Sequence, residues 1–329
     1  MLSFQSVKHT LKKNSYATSL FLVAFITATG FSLASPQTFF SALNLASIAY
    51  AVPEIALMAL AISIAMTTAG IDLSTVAVAN LSALCVMHMT QVLSGAGLSS
   101  LVSTAISVLC ALIIGLITGL MNGVLISVVR IAPILATLAT QQLFLGLAIA
   151  LTKGKPLYGG TPELNVLGVG TLAGIPFLFW LFLIILICIA IFMGRTRFGL
   201  CALMLGENPT ATDYSGISRI SATISTYMLC GLLSSCAGIL MAARTASASA
   251  GYGGSYLMLA ITIAVLGGVN PFGGRIAIWG AAIAAVILQI ISSGLNALGV
   301  SPYVYQMIQG FILVSVFIFR WEAQRRKHS

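Results

Sequence analysis

Long apolar runs follow one another along this chain with only short polar turns between them, and that succession decides what it can fold into. Ten runs fit, at roughly 17–35, 43–69, 73–94, 101–129, 131–152, 171–193, 220–243, 255–270, 277–297 and 302–320. A helix needs about 20 apolar residues to cross a hydrocarbon layer of ~30 Å, and most of the runs reach that length. Lipid offers no water to free backbone groups, so such runs must close their hydrogen bonds within helices. A membrane β-barrel would instead alternate apolar and polar positions in ten-residue segments. Composition agrees, with 59% hydrophobic and 6% charged residues against about 25% charge in an average soluble chain. The expected fold class is all-α: a polytopic helical membrane protein of about ten transmembrane helices, one transmembrane domain over residues 1–329.

The net charge of +9 is not read as nucleic-acid binding, because the bases sit at the ends of the runs. With the N-terminus inside and the spans alternating, the inner side holds Lys8, Lys12, Lys13, Arg130, Arg195, Arg197, Arg219, Arg275, Arg320, Arg325, Arg326 and Lys327. The outer side holds only Lys153, Lys155 and Arg244, a split of 12 against 3. That asymmetry sets the orientation, with both termini cytoplasmic. The first run also resembles a signal peptide, with Ser32-Leu33-Ala34 as a cleavage-like end, but the alternation works only if the span is retained. The longest outer loop is 153–170. Pro53 in the second run and the Gly70–Ser74 turn before the third point to broken helices. The six cysteines show no metal-ligand pairing and read as small core-type residues.

Chemistry-bearing residues inside the spans are few. No span is expected to carry a charge pair or a histidine chain, and ion-binding acids in mid-span are taken as missing. His88 is alone. There is no HExxH, no nucleophile elbow with its triad partners and no Walker A loop, so the chain is not expected to be an enzyme or to hydrolyse ATP itself. Asp72 is read as the acid closest to a membrane setting. It either accepts backbone donors at the start of the third span or faces a translocation path. Asn80, Asn122, Thr137, Gln141, Asn296 and Gln306 offer neutral donors and acceptors that suit a hydroxyl-rich solute. They suit interhelical bonds of ~0.6 kcal/mol each equally well. Gly115 and Gly119 form a small-xxx-small pair, the usual mark of close helix packing.

One polar island interrupts the apolar pattern at Gly206–Ile217, inside a loop placed at 199–219. It reads as a short surface helix with Asn208 as N-cap, Pro209 in the first helical position and Gly216 as the left-handed stop. It fits either a solvated connector or a handle for a soluble partner.

Seven ordered stretches from about residue 43 to 320 carry a family resemblance. They are Ala69–Ser74; Asn122-Gly123 with Pro133 and Ala136-Thr137-Leu138; Leu151–Pro156; Arg197-Phe198-Gly199; Gly206–Ala211 with Ser215-Gly216-Ile217; Leu266-Gly267-Gly268 with Phe272–Arg275; and Gly294-Leu295-Asn296 with Gly299–Pro302. The chain resembles the membrane permease subunits of bacterial ABC importers for monosaccharides, the ribose, xylose, arabinose and galactose type that includes autoinducer-2 permeases. Ala69 stands where the family has the first of two glycines, and Thr75-Val76 where it often has Val-Gly. The resemblance implies a second permease chain (identical or paralogous), cytoplasmic ABC ATPase subunits that hold ATP and Mg, and a periplasmic sugar-binding protein, with no cofactor on this chain. It makes the 208–216 helix the ATPase coupling helix, contacting its partner through Glu207, Asn208, Pro209, Thr210, Ala211, Asp213, Tyr214 and Gly216. Lys153, Lys155 and Glu163 would lie near the binding-protein face. The substrate pathway would draw on Asp72 and the neutral side chains named above. A stand-alone secondary carrier or channel is the alternative. Pentose, hexose and related polyols fit a neutral lining equally.

Overall fold

The computed structural model describes the backbone of residues 4–328 and the side chains of 18, 20–301, 303–315 and 318. The terminal bases of the charge argument (Lys8, Lys12, Lys13, Arg320, Arg325, Arg326 and Lys327) therefore have side chains outside the described residues. A helix occupies each of the ten runs: α1 (Phe4–Ala34), α3 (Ala42–Thr67), α4 (Thr75–Gly95), α5 (Ser100–Ser127), α6 (Pro133–Thr152), α8 (Phe177–Arg195), α11 (Arg219–Thr245), α12 (Tyr256–Leu266), α13 (Ile278–Ala297) and α14 (Pro302–His328). Short helices lie between them: α2 (Pro36–Phe39), α7 (Pro162–Val169), α9 (Arg197–Glu207) and α10 (Pro209–Tyr214). Two two-residue antiparallel ladders pair β1 (Leu157–Tyr158) with β4 (Ser247–Ala248) and β2 (Thr171–Leu172) with β3 (Ile175–Pro176).

Among the described residues, seven helices are long and apolar enough to cross a membrane by themselves: α3, α4, α5, α6, α8, α11 and α13. The run at 255–270 yields only the 11-residue α12, about 16 Å at 1.5 Å per residue. It ends early because Gly267 leads into Gly268 at φ +105°, a left-handed position that stops a helix.

α3 is the axis of the bundle. From Ala51 to Thr67 it is apolar on nearly every side, and such a helix must be enclosed. Every residue from Ala51 to Thr67 is buried, against neighbours on α4, α8, α9, α11, α12 and α13. Pro53 does not break it: the helix runs unbroken from Ala42 to Thr67. Proline forfeits one backbone bond, and here the packing of buried Val52 and Ile55 holds the helix across the gap.

The outer helices are different. α5, α6 and α8 each bury only 28% of their most apolar window. Large apolar side chains such as Leu109, Ile113 and Ile117 of α5 and Ile184, Ile187 and Ile191 of α8 face outward. In water such faces would not persist; in lipid, or against another helix, they are the expected finish.

Candidate coupling surface and polar cavities

The inter-helix segments gather at two ends. One end holds the turns at 68–74, 128–132, 196–218 and 267–277, and the other holds 35–41, 96–99, 153–176 and 246–255. At the first end the capped helix of the polar island is present as its residues suggested. Asn208 Oδ1 accepts the Ala211 N–H at 3.0 Å, Pro209 opens α10, and Gly216 takes φ +73°. Glu207, Asn208, Pro209, Thr210, Ala211, Asp213, Tyr214 and Gly216 are all exposed, Tyr214 at 90%. Arg219 grips both carboxylate oxygens of Asp213. Thr212 alone points inward, fully buried, its hydroxyl donating to the Asn208 carbonyl at 2.9 Å.

The segment expected as a loop at 199–219 is mostly helix, because α9 extends to Glu207 and α10 follows after one residue. α9 docks the island onto the bundle. A Cβ on Gly206 would collide with the Thr67 carbonyl at the end of α3 and with Gly274 N, while Gly274 N–H donates to that same carbonyl at 3.1 Å. Gly273 and Gly274 hold φ of +95° and +73°, which leaves room for the α9 backbone. The exposed helix is thus one glycine contact away from the central helix.

The polar residues expected along a path divide into groups. Asp72 is 1% exposed and its Oδ1 accepts from Ser74 N at 2.9 Å and Ser74 Oγ at 2.6 Å. Burial pushes its carboxyl pKa up, and the two Ser74 bonds pull it back. Asn122 Nδ2 donates to Ser74 Oγ at 2.8 Å, and Thr140 Oγ1 donates to Asn122 Oδ1 at 2.7 Å. Thr137 Oγ1 reaches the Ile71 carbonyl at 3.0 Å. These groups clasp the 71–74 turn to α5 and α6. Asp72, Asn122 and Thr137 are thus buried and engaged in bonds between helices, as polar groups inside a packed bundle generally are. Ala69 in the same turn takes φ +59°, a left-handed backbone that glycine adopts at less cost than alanine.

Asn80 is buried elsewhere, donating to the Ala250 carbonyl at 2.8 Å with Oδ1 unpartnered. Gln141 is half-buried with Oε1 unpartnered. Gln306 is exposed. Asn296 borders a concavity of about 880 Å³ at the second end, with Asn44, Tyr50 and Arg244 among its other walls. Of the residues near that face, Lys153 and Lys155 are exposed, whereas the Glu163 carboxylate is taken by the Ser100 hydroxyl.

The expectation that no span carries a charge pair is overturned. Glu54, 1% exposed within α3, pairs with Arg244 of α11 at 2.7 Å. Tyr256 donates to Glu54 Oε1 at 3.1 Å and Arg244 donates to the Tyr252 hydroxyl at 3.0 Å. Arg244 is therefore a helix residue, not a loop base, and Glu54 rather than Asp72 is the acid inside a membrane-length helix. The cysteines are all free and Cys230 alone is buried; no metal-binding cluster occurs among the described residues.

These features define a polytopic helical membrane protein with an exposed capped helix at one end and an open vestibule at the other. The family described as branched-chain amino acid transport system / permease component matches residues 44–317, and the chain belongs to that family. It is 34% identical over 312 residues to the ribose import permease protein RbsC of Escherichia coli, covering 92% of this chain and 91% of that one. It is 35% identical over 303 residues to the RbsC of Bacillus subtilis, covering 91% of each. It is 33% identical over 272 residues to the autoinducer 2 import system permease protein LsrD of Klebsiella pneumoniae, covering 81% and 80%. These relatives are transport permeases, not enzymes. No solved structure matches the chain.

Proposed function

We propose that this chain is the permease subunit of an ATP-driven importer for a monosaccharide or a similar polyhydroxylated solute, working by alternating access. The observation that carries the reading is the Asn208-capped helix, whose eight expected contact residues are all exposed. The relatives named for ribose and autoinducer-2 import support the substrate class. ATP and Mg belong to separate cytoplasmic ATPase subunits, which receive α10 in a groove. A periplasmic binding protein delivers the solute near Lys153 and Lys155. A second permease chain covers part of the apolar faces of α5, α6 and α8. α1, α12 and α14 bring the crossings to ten, with α10 and both termini on the cytoplasmic side of the inner membrane, as the asymmetry of bases requires.

Force enters at α10 and passes through the Gly206–Thr67 contact into α3, which reaches the vestibule at its other end through Asn44 and Tyr50. One rigid central helix therefore joins the ATPase side to the solute side. The secondary-carrier alternative loses further ground at Glu54, because an acid already held by Arg244 offers no free charge to a coupling ion.

Purification of the chain from mild detergent is expected to bring a Walker-motif ATPase with it in stoichiometric amount; a chain that purifies alone and transports without ATP would refute the importer. A second test is sharper. Gly216→Pro is expected to abolish uptake while leaving ATPase activity in the complex. Proline cannot adopt φ +73° and lacks the N–H that Gly216 donates to the Asp213 carbonyl at 3.0 Å. Asp213→Lys is expected to act in the same direction at little cost to the fold, since an exposed ion pair contributes only about 0–1 kcal/mol. Unchanged uptake by both variants would remove α10 from the coupling pathway.

A further inference from the structure

The turn between α12 and α13 presents a large aromatic ring to the outside. Phe272 is 76% exposed, and Arg275, three residues on, is exposed too. The turn is fixed from within. Asn270 Oδ1 accepts the Phe272 N–H at 3.3 Å, Asn270 Nδ2 donates to the Gly273 carbonyl at 2.9 Å, and the Gly273 N–H donates to the Asn270 carbonyl at 3.1 Å. Pro271 restricts the backbone in between. The turn is also fixed to the bundle. Gly274 N–H donates to the Thr67 carbonyl at the end of α3, a Cβ on Gly273 would run into the Gly206 carbonyl, and one on Gly274 would lie 3.0 Å from Glu207 Cβ. Glu207 is exposed and immediately precedes Asn208, the cap of α10. The exposed surface of α10 therefore continues into this turn across a backbone contact.

An exposed ring at the end of a membrane bundle meets either lipid headgroups or a soluble protein, and the surroundings of Phe272 favour the protein. Interfacial belts are built from tryptophan and tyrosine. Here Trp279, 54% exposed in the first turn of α13, has that place, and Phe272 precedes it, in the turn rather than in the span. Glu207 against the same turn would be repelled by an anionic headgroup layer. Protein interfaces, by contrast, draw most of their binding energy from aromatic and arginine side chains, and more so when these are held ready for the partner. We propose that the Asn270–Arg275 turn is a second docking element for the cytoplasmic ATPase, in which Phe272 enters an apolar pocket of the subunit that receives α10 and Arg275 meets a carboxylate at the rim of that pocket. This role rests on the importer reading and extends its contact surface beyond the capped helix. A partner that holds both elements acts on α3 through the Gly274–Thr67 bond as well as through α9.

The test places the photo-crosslinker p-benzoylphenylalanine at position 272, at position 214 on α10, and at position 40 at the opposite end, where Phe40 is 59% exposed. Each is irradiated in the intact complex in membranes, and the adduct is identified by peptide mass spectrometry. Positions 272 and 214 are expected to capture a Walker-motif ATPase, and position 40 not to. Phe272→Ala is expected to lower the ATPase retained on the detergent-purified permease severalfold while the melting temperature of the permease stays unchanged, because a ring so exposed touches little of its own chain. A lipid adduct or no adduct at 272, alongside an ATPase adduct at 214, would overturn the second docking element and leave the importer reading standing. An ATPase adduct at position 40, or undiminished retention in Phe272→Ala, would overturn it as well. No ATPase adduct at either 272 or 214 would overturn the α10 coupling surface itself, and the role of the turn with it.

Discussion

Truncating Arg244 to alanine is expected to destabilise the chain by about 3–5 kcal/mol, because it leaves a carboxylate in the interior with its counter-charge removed. Glu54 is 1% exposed, so no water compensates it. Glu54→Ala is expected to cost less, since the Arg244 side chain is 24% exposed and keeps a route to water through the vestibule. The double variant Glu54→Leu/Arg244→Met is expected to be more stable than the Arg244→Ala single. It removes both charges and leaves only the Tyr252 and Tyr256 hydroxyls in need of partners, at about 1–3 kcal/mol each. Thermal unfolding of the detergent-solubilised chain gives the comparison. Equal melting temperatures for all three variants and the parent would mean that the pair does not form in the solubilised chain. The two residues are 190 positions apart, so their coupling also reports on whether α3 and α11 pack at the stated register.

That pair shows where the sequence was legible and where it was not. The ten apolar runs gave the helix positions, since hydropathy is summed over many residues and tolerates an odd one. The same averaging hid Glu54. One acid in a run of 26 residues barely lowers the mean, and Arg244 at a run's end resembles an ordinary interfacial base. The available signal was chemical rather than statistical: an acid isolated in a span demands a partner, and Arg244 is the base at the matching depth. The cap at Asn208 was legible because capping is local, reaching only to Ala211. The clasp of Asp72, Ser74, Asn122 and Thr140 was legible only in part. The Asp72–Ser74 bond is two residues long, but Asn122 and Thr140 arrive from other helices, and nothing local separates a packing amide from a solute-binding one. α9, which carries Gly199 and Gly206, falls largely in the segment expected as a loop at 199–219. Both are there because backbone from a neighbouring segment lies against them.

Gly119→Ala and Gly146→Ala are expected to separate by their surroundings, although both add one methyl group to a glycine in a membrane-length helix. At Gly119 the new Cβ would run into the Tyr227 carbonyl of α11 and lie 2.7 Å from Met228 Cα. Backbone cannot rotate aside, so α5 and α11 must move apart. Their contact is continuous along the face: a Cβ at Gly115 would meet Ser235 and the Gly231 carbonyl, and one at Gly123 would lie 2.6 Å from Ile224 Cα. The small-xxx-small pair seen in the sequence is thus a three-glycine stripe, met on α11 by Gly231. Close approach is what holds helices together where lipid removes the hydrophobic drive, so forcing them apart forfeits dispersion along the whole seam. The cost of Gly119→Ala is expected at about 1–3 kcal/mol, as for overpacking of a tight core. At Gly146 of α6 no atom lies within 4 Å of the added Cβ, and the exchange is expected to be neutral or to stabilise by up to about 1 kcal/mol through helix propensity. Melting temperatures of the two variants in the same detergent give the answer. Equal tolerance at both positions would mean that α5 and α11 are not in backbone contact. A loss at Gly119 alone would fix the α5–α11 seam as the tightest joint around the central helix, against which α3 must move if it transmits force from the coupling helix to the vestibule.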